Sequence, residues 1–284
     1  MTSADRPKAF IIGHTIAHSR SPMLHGYWLR TLGIEATYEA LDIAPEALGD
    51  FFAGFIARGW IGGNVTVPHK LAVMPYLAEI DPAAKAIGAV NTIWREGDRL
   101  IGGNTDGLGF IGNLDERAPG WDVAGGQAVM LGAGGAARAA VHALVSRGLR
   151  VTIVNRTIAR AEELAGYFGE RVSVARHAAL PDLLGKADLL VNTTSLGMLG
   201  KPPLEIDLGK LKPSAVVYDV VYVPLETDLL RQAAARGHRT VDGLGMLLHQ
   251  AVAGFTRWFR VKPTVTAELR KLLEDDIRAK TPGA

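Results

Sequence analysis

The chain has 284 residues, a mass of 30.3 kDa and a formal net charge of +2, with 48% apolar and 21% charged residues. This balance is typical of a folded globular protein and excludes a disordered or fibrous chain. The basic residues are scattered, so no nucleic-acid or membrane surface is predicted, and the lack of cysteine excludes disulfides and Cys-ligated metal centres.

The N-terminal part alternates short β-branched runs with helical patterns, as α/β folds do. The polar residues 1–8 lead into no long apolar region, so no signal peptide is expected. Strands are predicted at residues 9–13, 36–43, 61–67, 89–95 and 100–104, and helices at 23–32, 45–58 and 69–80. The last two strands flank Glu96-Gly97-Asp98-Arg99, which predicts a hairpin turn.

After a connector predicted at residues 115–125, the alternation begins again. Further strands are predicted at residues 127–131, 151–155, 172–176, 188–192 and 215–221, and helices at 135–147, 158–168 and 227–236. No strand is expected after Val241, and the tail is predicted to be helical over residues 244–259 and 264–278. The prediction is an α/β substrate domain (1–105), a doubly wound Rossmann domain (106–242) and C-terminal helices (243–284) that return to the first domain.

The strand that ends at Leu131 runs directly into Gly132-Ala133-Gly134-Gly135-Ala136-Ala137. This G-x-G-x-x-A pattern between a predicted strand and a predicted helix is typical of dinucleotide binding. The first glycine permits a tight turn, the second lets the backbone approach a pyrophosphate, and the helix N-terminus favours negative charge. A plain connecting loop is the structural alternative.

The end of the next strand bears on which dinucleotide would bind. An NAD site usually has an Asp or Glu about 20 residues after the glycine-rich turn, and its carboxylate accepts a hydrogen bond from the ribose 2′-hydroxyl. This chain has Asn155, Arg156 and Thr157 there, with Arg160 one turn later. Because a guanidinium pairs well with a phosphate dianion, NADP is favoured, although two solvated surface arginines remain the alternative.

Polar clusters follow the strands of the first half, and ligands of α/β sheets usually bind at strand ends. They lie at residues 18–22, 64–70, 91–92 and 104–107. Hydroxyls, amides, one lysine and one aspartate suit a small polyhydroxylated molecule. Taken singly, each cluster also has a structural explanation, such as a helix cap or a surface lysine.

Nine motifs follow one another along the chain: Ser-x-Ser-Pro at 19–22, Asn-Val-Thr-x-Pro-x-Lys at 64–70, Gly-Ala-Val-Asn-Thr at 88–92, Asn-Thr-Asp-Gly at 104–107, Gly-Ala-Gly-Gly-Ala at 132–136, Asn-Arg-Thr at 155–157, Asn-x-Thr-Ser-x-Gly-Met at 192–198, Tyr-x-Pro at 222–224 and Gly-Met-Leu-x-x-Gln at 245–250. In this order they resemble the motifs of the shikimate dehydrogenases. The likeness runs from residue 12 to about residue 263.

The resemblance implies a reversible, NADP-dependent reduction of 3-dehydroshikimate to shikimate, on the way to chorismate and the aromatic amino acids. It implies a catalytic pair, Lys70 and Asp106. The substrate residues that it implies are Ser19, Ser21, Thr66, Lys70, Asn91, Asp106, Tyr222 and Gln250. The NADP residues that it implies are Gly132, Ala133, Gly134, Gly135, Ala136, Asn155, Arg156, Thr157, Arg160 and Thr193, with Val220, Gly243 and Met246 towards the nicotinamide.

Lys70 suits the reaction, because a protonated amine can stabilise charge on a carbonyl oxygen and deliver a proton. His69 is the alternative acid, and a helix at residues 69–80 would turn the two side chains apart. His14 and His18 are four residues apart but lie at a strand exit, so no metal site is predicted.

Several other expectations remain open from the sequence. A quinate/shikimate dehydrogenase is the nearest alternative, and a non-catalytic, dinucleotide-sensing regulator is the alternative from another class. The protein is expected to be cytoplasmic and to bind a small molecule, with no nucleic-acid or membrane partner. A homodimer is the candidate assembly.

Overall fold

The computed structural model describes residues 6–281, and the chain divides there into two compact units. The first runs to Thr105 and also contains Gln250–Leu273, whereas the second contains Asp106–His249 and resumes at Glu274. Within residues 6–281, no helix is long and apolar enough to cross a bilayer. The signal-peptide prediction concerns residues 1–8, of which 1–5 lie outside the described residues.

The first unit is built on a mixed sheet whose strand order is β2-β1-β3-β5-β6-β4. Its strands are β1 (Lys8–Gly13), β2 (Thr37–Asp42), β3 (Trp60–Val65), β4 (Glu79–Ile80), β5 (Thr92–Glu96) and β6 (Arg99–Gly103). Strand β1 pairs in parallel with β2 and β3, and β5 is antiparallel to β3 and β6. The predicted hairpin turn is confirmed, because Glu96 pairs with Arg99 across it.

The helices of this unit are α1 (Ser21–Thr31), α2 (Leu48–Ala53) and α3 (Pro82–Ile87). One face of the sheet carries an aromatic core, in which the Phe10 ring lies 5.2 Å from Phe51 and 5.6 Å from Phe55. The Trp258 indole donates a hydrogen bond to the Ile93 carbonyl at 2.8 Å. Gly62 packs against both groups, and a Cβ at this position would clash with them.

The second unit holds the parallel Rossmann sheet, with strand order β12-β11-β10-β7-β8-β9. Its strands are β7 (Gln127–Leu131), β8 (Arg150–Val154), β9 (Val172–Ala175), β10 (Leu189–Asn192), β11 (Val216–Asp219) and β12 (Arg239–Val241). Its helices are α4 (Asp106–Arg117), α5 (Gly135–Ser146), α6 (Ile158–Phe168), α7 (Leu180–Leu184) and α8 (Asp228–Ala235). From β7 the strands continue to one side as β8 and β9 and to the other side as β10, β11 and β12, so the strand order reverses between β7 and β10. Ligands of such sheets bind at this reversal point.

Both faces of this sheet are covered, as its sequence pattern predicts. Alternate residues of β7 enter different cores, with Met130 among the helices α4, α5 and α6 and Val129 among α7 and α8. The C-terminal helices are α9 (Leu244–Phe259) and α10 (Ala267–Lys280). Helix α9 begins in the second unit and continues into the first from Gln250 onward.

Several predictions about elements were wrong. The helix predicted at residues 45–58 is an α-helix only over Leu48–Ala53. Residues 69–80 form turns and the short strand β4 rather than a helix, since Pro75 lacks the amide hydrogen that a helix interior needs. Helices α3 and α4 were missed, and α4 occupies the first residues of the predicted connector. Strand β12, which extends the sheet and ends at Val241, was also missed.

Candidate active site

The polar clusters of the first unit meet at one edge of its sheet. Strands β1 and β3 end there, β6 ends there too, and the antiparallel strand β5 begins there at Thr92. Asn64 pairs in register with Thr92, which in turn pairs with Gly103. The topology therefore gathers side chains from four separate stretches of sequence.

Asn91 lies at the centre of a buried hydrogen-bond network on this edge. Its Oδ1 accepts from the Thr105 amide at 2.8 Å, and its Nδ2 donates to Thr105 Oγ1 at 3.2 Å. Thr105 Oγ1 in turn donates to Gln250 Oε1 at 3.2 Å, across 145 residues of sequence. Two predicted substrate residues, Asn91 and Gln250, are thus joined through Thr105.

The same network continues to a second buried amide, that of Asn64. Its Nδ2 donates to the Asn91 carbonyl at 3.2 Å, and its Oδ1 accepts from Tyr38 Oη at 2.6 Å. His25 stacks on Tyr38 with ring centroids 4.1 Å apart. Burial lowers the pKa of His25 to about 3, although the Asn64 side chain raises it, so the imidazole is neutral.

Thr66 and Lys70 follow β3 and are held by backbone contacts to the same edge. The Thr66 amide donates to Ile12 at 2.9 Å, and the Lys70 carbonyl accepts from Val90 at 2.8 Å, next to Asn91. Both side chains are half-buried. The backbones of Thr66 and Lys70 are therefore tied to β1 and to the residue before Asn91.

The other predicted substrate residues lie at the ends of elements. Ser19 is half-buried, and its Oγ accepts from the amide of Ser21, the buried first residue of α1, at 3.3 Å. Asp106 is the buried first residue of α4, where the helix dipole stabilises a negatively charged carboxylate. Tyr222 is half-buried in the loop after β11.

The neighbouring histidines have local roles. His69 is buried, and its Nε2 donates to the Ile43 carbonyl at 2.6 Å, which leaves Lys70 as the better candidate acid. His14 Nδ1 lies 2.9 Å from Asp42 Oδ1. Within the described part of the chain, no three His, Asp or Glu side chains are grouped as metal ligands.

A cavity of about 430 Å³ lies at the reversal point of the second sheet. Most of the predicted NADP residues line it. They are Gly132, Ala133, Gly134, Asn155, Arg156, Thr157, Arg160 and Thr193. Both arginines are exposed at the start of α6, where they would oppose the helix dipole unless an anion lay beside them.

Backbone geometry at the glycine turn fits a pyrophosphate. Gly132 has φ of +107°, and a Cβ there would lie 2.7 Å from Thr193 Oγ1, so only glycine is accommodated. A Cβ on Gly134 would meet only open space within 4 Å, and Gly134 caps α5 with no side-chain hydrogen bond. The turn therefore presents bare backbone and helix-end amides to the cavity.

The remaining NADP residues of the sequence prediction lie outside the lining of this cavity. Gly135 and Ala136 begin α5, and Met246 lies in the first turn of α9. A Cβ on Gly243 would lie 2.1 Å from the Val220 carbonyl oxygen, so these two backbones are in close contact.

A buried carboxylate, Asp219, joins two loops beside this site. Its Oδ1 accepts from Asn192 Nδ2 at 2.9 Å and from the Val221 amide at 3.0 Å, and its Oδ2 accepts from Thr227 Oγ1 at 2.7 Å. Burial raises the pKa of Asp219 to about 6, against these three hydrogen bonds, which lower it.

Comparisons with known proteins show which family the chain belongs to. The model of the shikimate dehydrogenase substrate binding domain matches residues 11–93, and that of shikimate / quinate 5-dehydrogenase matches 115–198. A relative from Methylocella silvestris, "Shikimate dehydrogenase (NADP(+))", is 54% identical over 97% of this chain and 98% of its own. The chain belongs to the shikimate dehydrogenase family.

Solved structures of this family share the whole fold. Shikimate 5-dehydrogenase from Thermus thermophilus, in complex with NADP(H) and shikimate, is 34% identical with a TM-score of 0.82, covering 96% of this chain and 99% of that one. Quinate dehydrogenase from Corynebacterium glutamicum, in complex with NAD, is 31% identical with a TM-score of 0.87, covering 95% and 99%.

The sequence analysis missed several residues of the cavity and of the polar edge of the first sheet. His177 and Glu205 also line the cavity, but their positions carry no motif that would have marked them. Thr194 and Ser195 line it too, and they lie inside the quoted 192–198 motif. Thr105 lies in the Asn-Thr-Asp-Gly motif, which could have marked it.

Proposed function

We propose that the chain is an oxidoreductase that reversibly reduces 3-dehydroshikimate to shikimate with NADPH. The observation that carries the proposal is the 54% identity, over 97% of the chain, to a protein named for that activity. All nine motifs of the sequence analysis are consistent with it.

The substrate would bind at the polar edge of the first sheet. Asn91, Gln250 and Thr66 would bind its hydroxyls, together with Ser19 and Ser21, because amides and hydroxyls can both donate and accept. Tyr222 and Asp106 complete the proposed set. The prior ordering of Asn91 and Gln250 by Thr105 supports this role, since fixed partners lose little entropy on binding.

NADP fits the second unit in charge and in shape. Arg156, Arg160, Asn155 and Thr157 would hold the 2′-phosphate end, and the glycine turn with Thr193 would hold the pyrophosphate. Val220, Gly243 and Met246 would lie towards the nicotinamide. When bound, the reduced coenzyme supplies a hydride to the ketone carbon.

The chain's own residues would then handle the proton. The Lys70 ammonium would donate to the carbonyl oxygen as negative charge develops there, and its amine would accept the proton in the reverse direction. Asp106 would accept a hydrogen bond from a substrate hydroxyl and so fix the orientation of the ring. His69 is committed to Ile43 and takes no part.

Two alternatives differ in what they require of the chain. A quinate dehydrogenase that uses NAD would favour an acidic residue where Arg156 stands. A dinucleotide-sensing regulator would have no need of Lys70 and Asp106 together. The proposed division into a substrate domain (1–105), an NADP domain (106–242) and C-terminal helices (243–284) follows from these roles.

The test is coenzyme oxidation, followed at the absorbance of the reduced nicotinamide. NADPH with 3-dehydroshikimate should turn over, whereas NADH should be used poorly and 3-dehydroquinate slowly. Equal rates with 3-dehydroquinate would favour the quinate alternative, and no turnover with either would favour the regulator. Cell fractionation and size-exclusion chromatography test the proposed cytoplasmic location and homodimer.

A further inference from the structure

The turn after β12 (residues 242–243) continues into the first helical turn of α9 (residues 244–246), and this turn segment, 242–246, lies beyond the carboxyl end of the second sheet. Ligands of open α/β sheets bind outside these ends, and two glycines in the turn are held at contact distance. Gly243 packs on the Val220 carbonyl, and a Cβ on Gly245 would lie 1.8 Å from Asn113 Oδ1. The shape of this turn is therefore set by what packs against it.

Asn113, in the middle of α4, is the side chain that packs there. It is 1% exposed, and its Nδ2 donates to the Asp242 carbonyl at 2.7 Å and to Tyr218 Oη at 2.9 Å. The Asn113 side chain thus forms a hydrogen bond with Asp242, the residue before Gly243, and contacts Gly245, two residues after Gly243.

The amide itself is held rigidly. Tyr218 is buried, and its ring stacks on Phe110, one turn before Asn113 on α4, with centroids 4.6 Å apart. Among residues 6–281, Asn113 Oδ1 finds no hydrogen-bond donor and instead lies against the Gly245 backbone. A buried polar atom without a donor costs stability, which a residue serving the core alone would avoid.

We propose that Asn113 is a positioning residue for hydride transfer, because it fixes the Gly243–Met246 backbone against which the nicotinamide would lie. This inference rests on the proposed function. Because the side chain is buried, it would act without touching the substrate, through the Asp242 carbonyl and the Gly245 backbone. A small displacement of the turn would misplace the nicotinamide while leaving the other end of the coenzyme in place.

Two variants test this role. Asn113→Leu removes both donors at similar volume, and Asn113→Asp keeps the shape while replacing a donor with an oxygen that faces the Asp242 carbonyl. Each should lower kcat for 3-dehydroshikimate about 10- to 100-fold, the usual effect of misplacing reacting atoms by about 1 Å. With NADPH deuterated at the transferred position, the isotope effect on kcat should rise, because hydride transfer becomes slower than release.

A coenzyme fragment and a neighbouring residue provide the controls. Adenosine 2′,5′-bisphosphate lacks the nicotinamide, so its Kd should stay within about twofold of the wild-type value, well under a tenfold (about 1.4 kcal/mol) change. Leu114→Val, at a buried core position next to Asn113 on α4, should lower the melting temperature but leave kcat and the isotope effect unchanged.

Each outcome decides the matter. A folded Asn113 variant with wild-type kcat and isotope effect overturns the inference, and so does loss of the fold in both variants, since the amide would then serve folding. If the wild-type chain fails to reduce 3-dehydroshikimate, the proposed function falls and this inference falls with it. An active wild type with unaltered variants overturns the inference alone.

Discussion

Lys70 is the side chain on which the proposed proton transfer depends. We expect Lys70→Ala to lower kcat by about 10²–10⁴-fold, the usual loss when a general acid–base group is removed, with a smaller change in KM. Steady-state kinetics with 3-dehydroshikimate measures both. Lys85→Ala, at an exposed lysine on α3 of the same unit, is the matched control and should keep wild-type kcat. Near-full kcat in Lys70→Ala would remove Lys70 from the mechanism.

Arg156 is the side chain that would discriminate between the two coenzymes. Arg156→Ala should raise KM for NADPH and leave NADH kinetics nearly unchanged, because only the 2′-phosphate loses its partner. Parallel kinetics with both coenzymes measures this difference. Arg236→Ala, at the exposed arginine that follows the last residue of α8, should change neither. Equal losses with both coenzymes would mean that Arg156 supports the loop rather than the phosphate.

At the scale of elements, Asp219 connects the loop after β10 with the start of α8. Its three hydrogen bonds can all be kept by asparagine, because Oδ1 already accepts two of them and an Nδ2 could donate to Thr227 Oγ1. The ionised carboxylate, by contrast, is fully buried, with no exposed surface. Replacing the carboxylate by an amide of the same shape should therefore remove the desolvation penalty of a buried charge.

The pKa of Asp219, raised by burial to about 6 from 3.8, gives the sign of the pH dependence. Between these two pKa values the folded chain binds more protons than the unfolded chain. Ionisation of Asp219 therefore lowers the free energy of unfolding above pH 6, and this decrease disappears as the pH falls towards 4. Asp219→Asn should therefore raise the free energy of unfolding by about 1–3 kcal/mol at pH 8 and by less at pH 5.

Urea denaturation of the wild type and Asp219→Asn at pH 8 and pH 5 measures these differences. Asp228→Asn, at an exposed carboxylate on α8, is the control and should change stability little at either pH. A lower stability of Asp219→Asn at pH 8 would show that the ionised carboxylate stabilises the two loops.

At the scale of the whole molecule, helix α9 belongs to both units of the chain. Its apolar positions recur at helical spacing, and its Gln250 side chain accepts from Thr105 in the first unit. The C-terminal helices are predicted to return to the first domain, and residues 250–273 group with the first unit. Residues 244–249, the beginning of α9, and 274–280, the end of α10, group with the second unit.

Gln250→Ala should therefore affect the substrate and leave the coenzyme unchanged. We expect a higher KM for shikimate, since lost amide contacts to substrate hydroxyls are worth about 0.5–1.5 kcal/mol each, and an NADP Kd close to that of the wild type. Titration of NADP without substrate supplies the second value. His249→Ala, at the preceding residue that contacts Glu116 at 2.7 Å, should leave shikimate KM unchanged. An unchanged KM in Gln250→Ala would place this amide outside the site.

The sequence by itself determined what depends on local pattern. Strand β7, the glycine turn and α5 follow from alternation, backbone freedom and helical spacing within about 20 neighbouring residues, and the predicted helices at 158–168 and 244–259 match α6 and α9 at both ends. The ordered motifs also identified the family, because their residue types and spacings are specific.

Only the tertiary structure decided what depends on residues far apart in sequence. That residues 79–80 form the strand β4 is decided by β6, with which they pair. The link from Asn91 through Thr105 to Gln250 exists because the chain folds residue 250 back onto the first unit. His177 and Asn113 carry no local signal, since the cavity and the turn that they contact are assembled from distant loops, and packing across such distances leaves no periodic trace in the sequence.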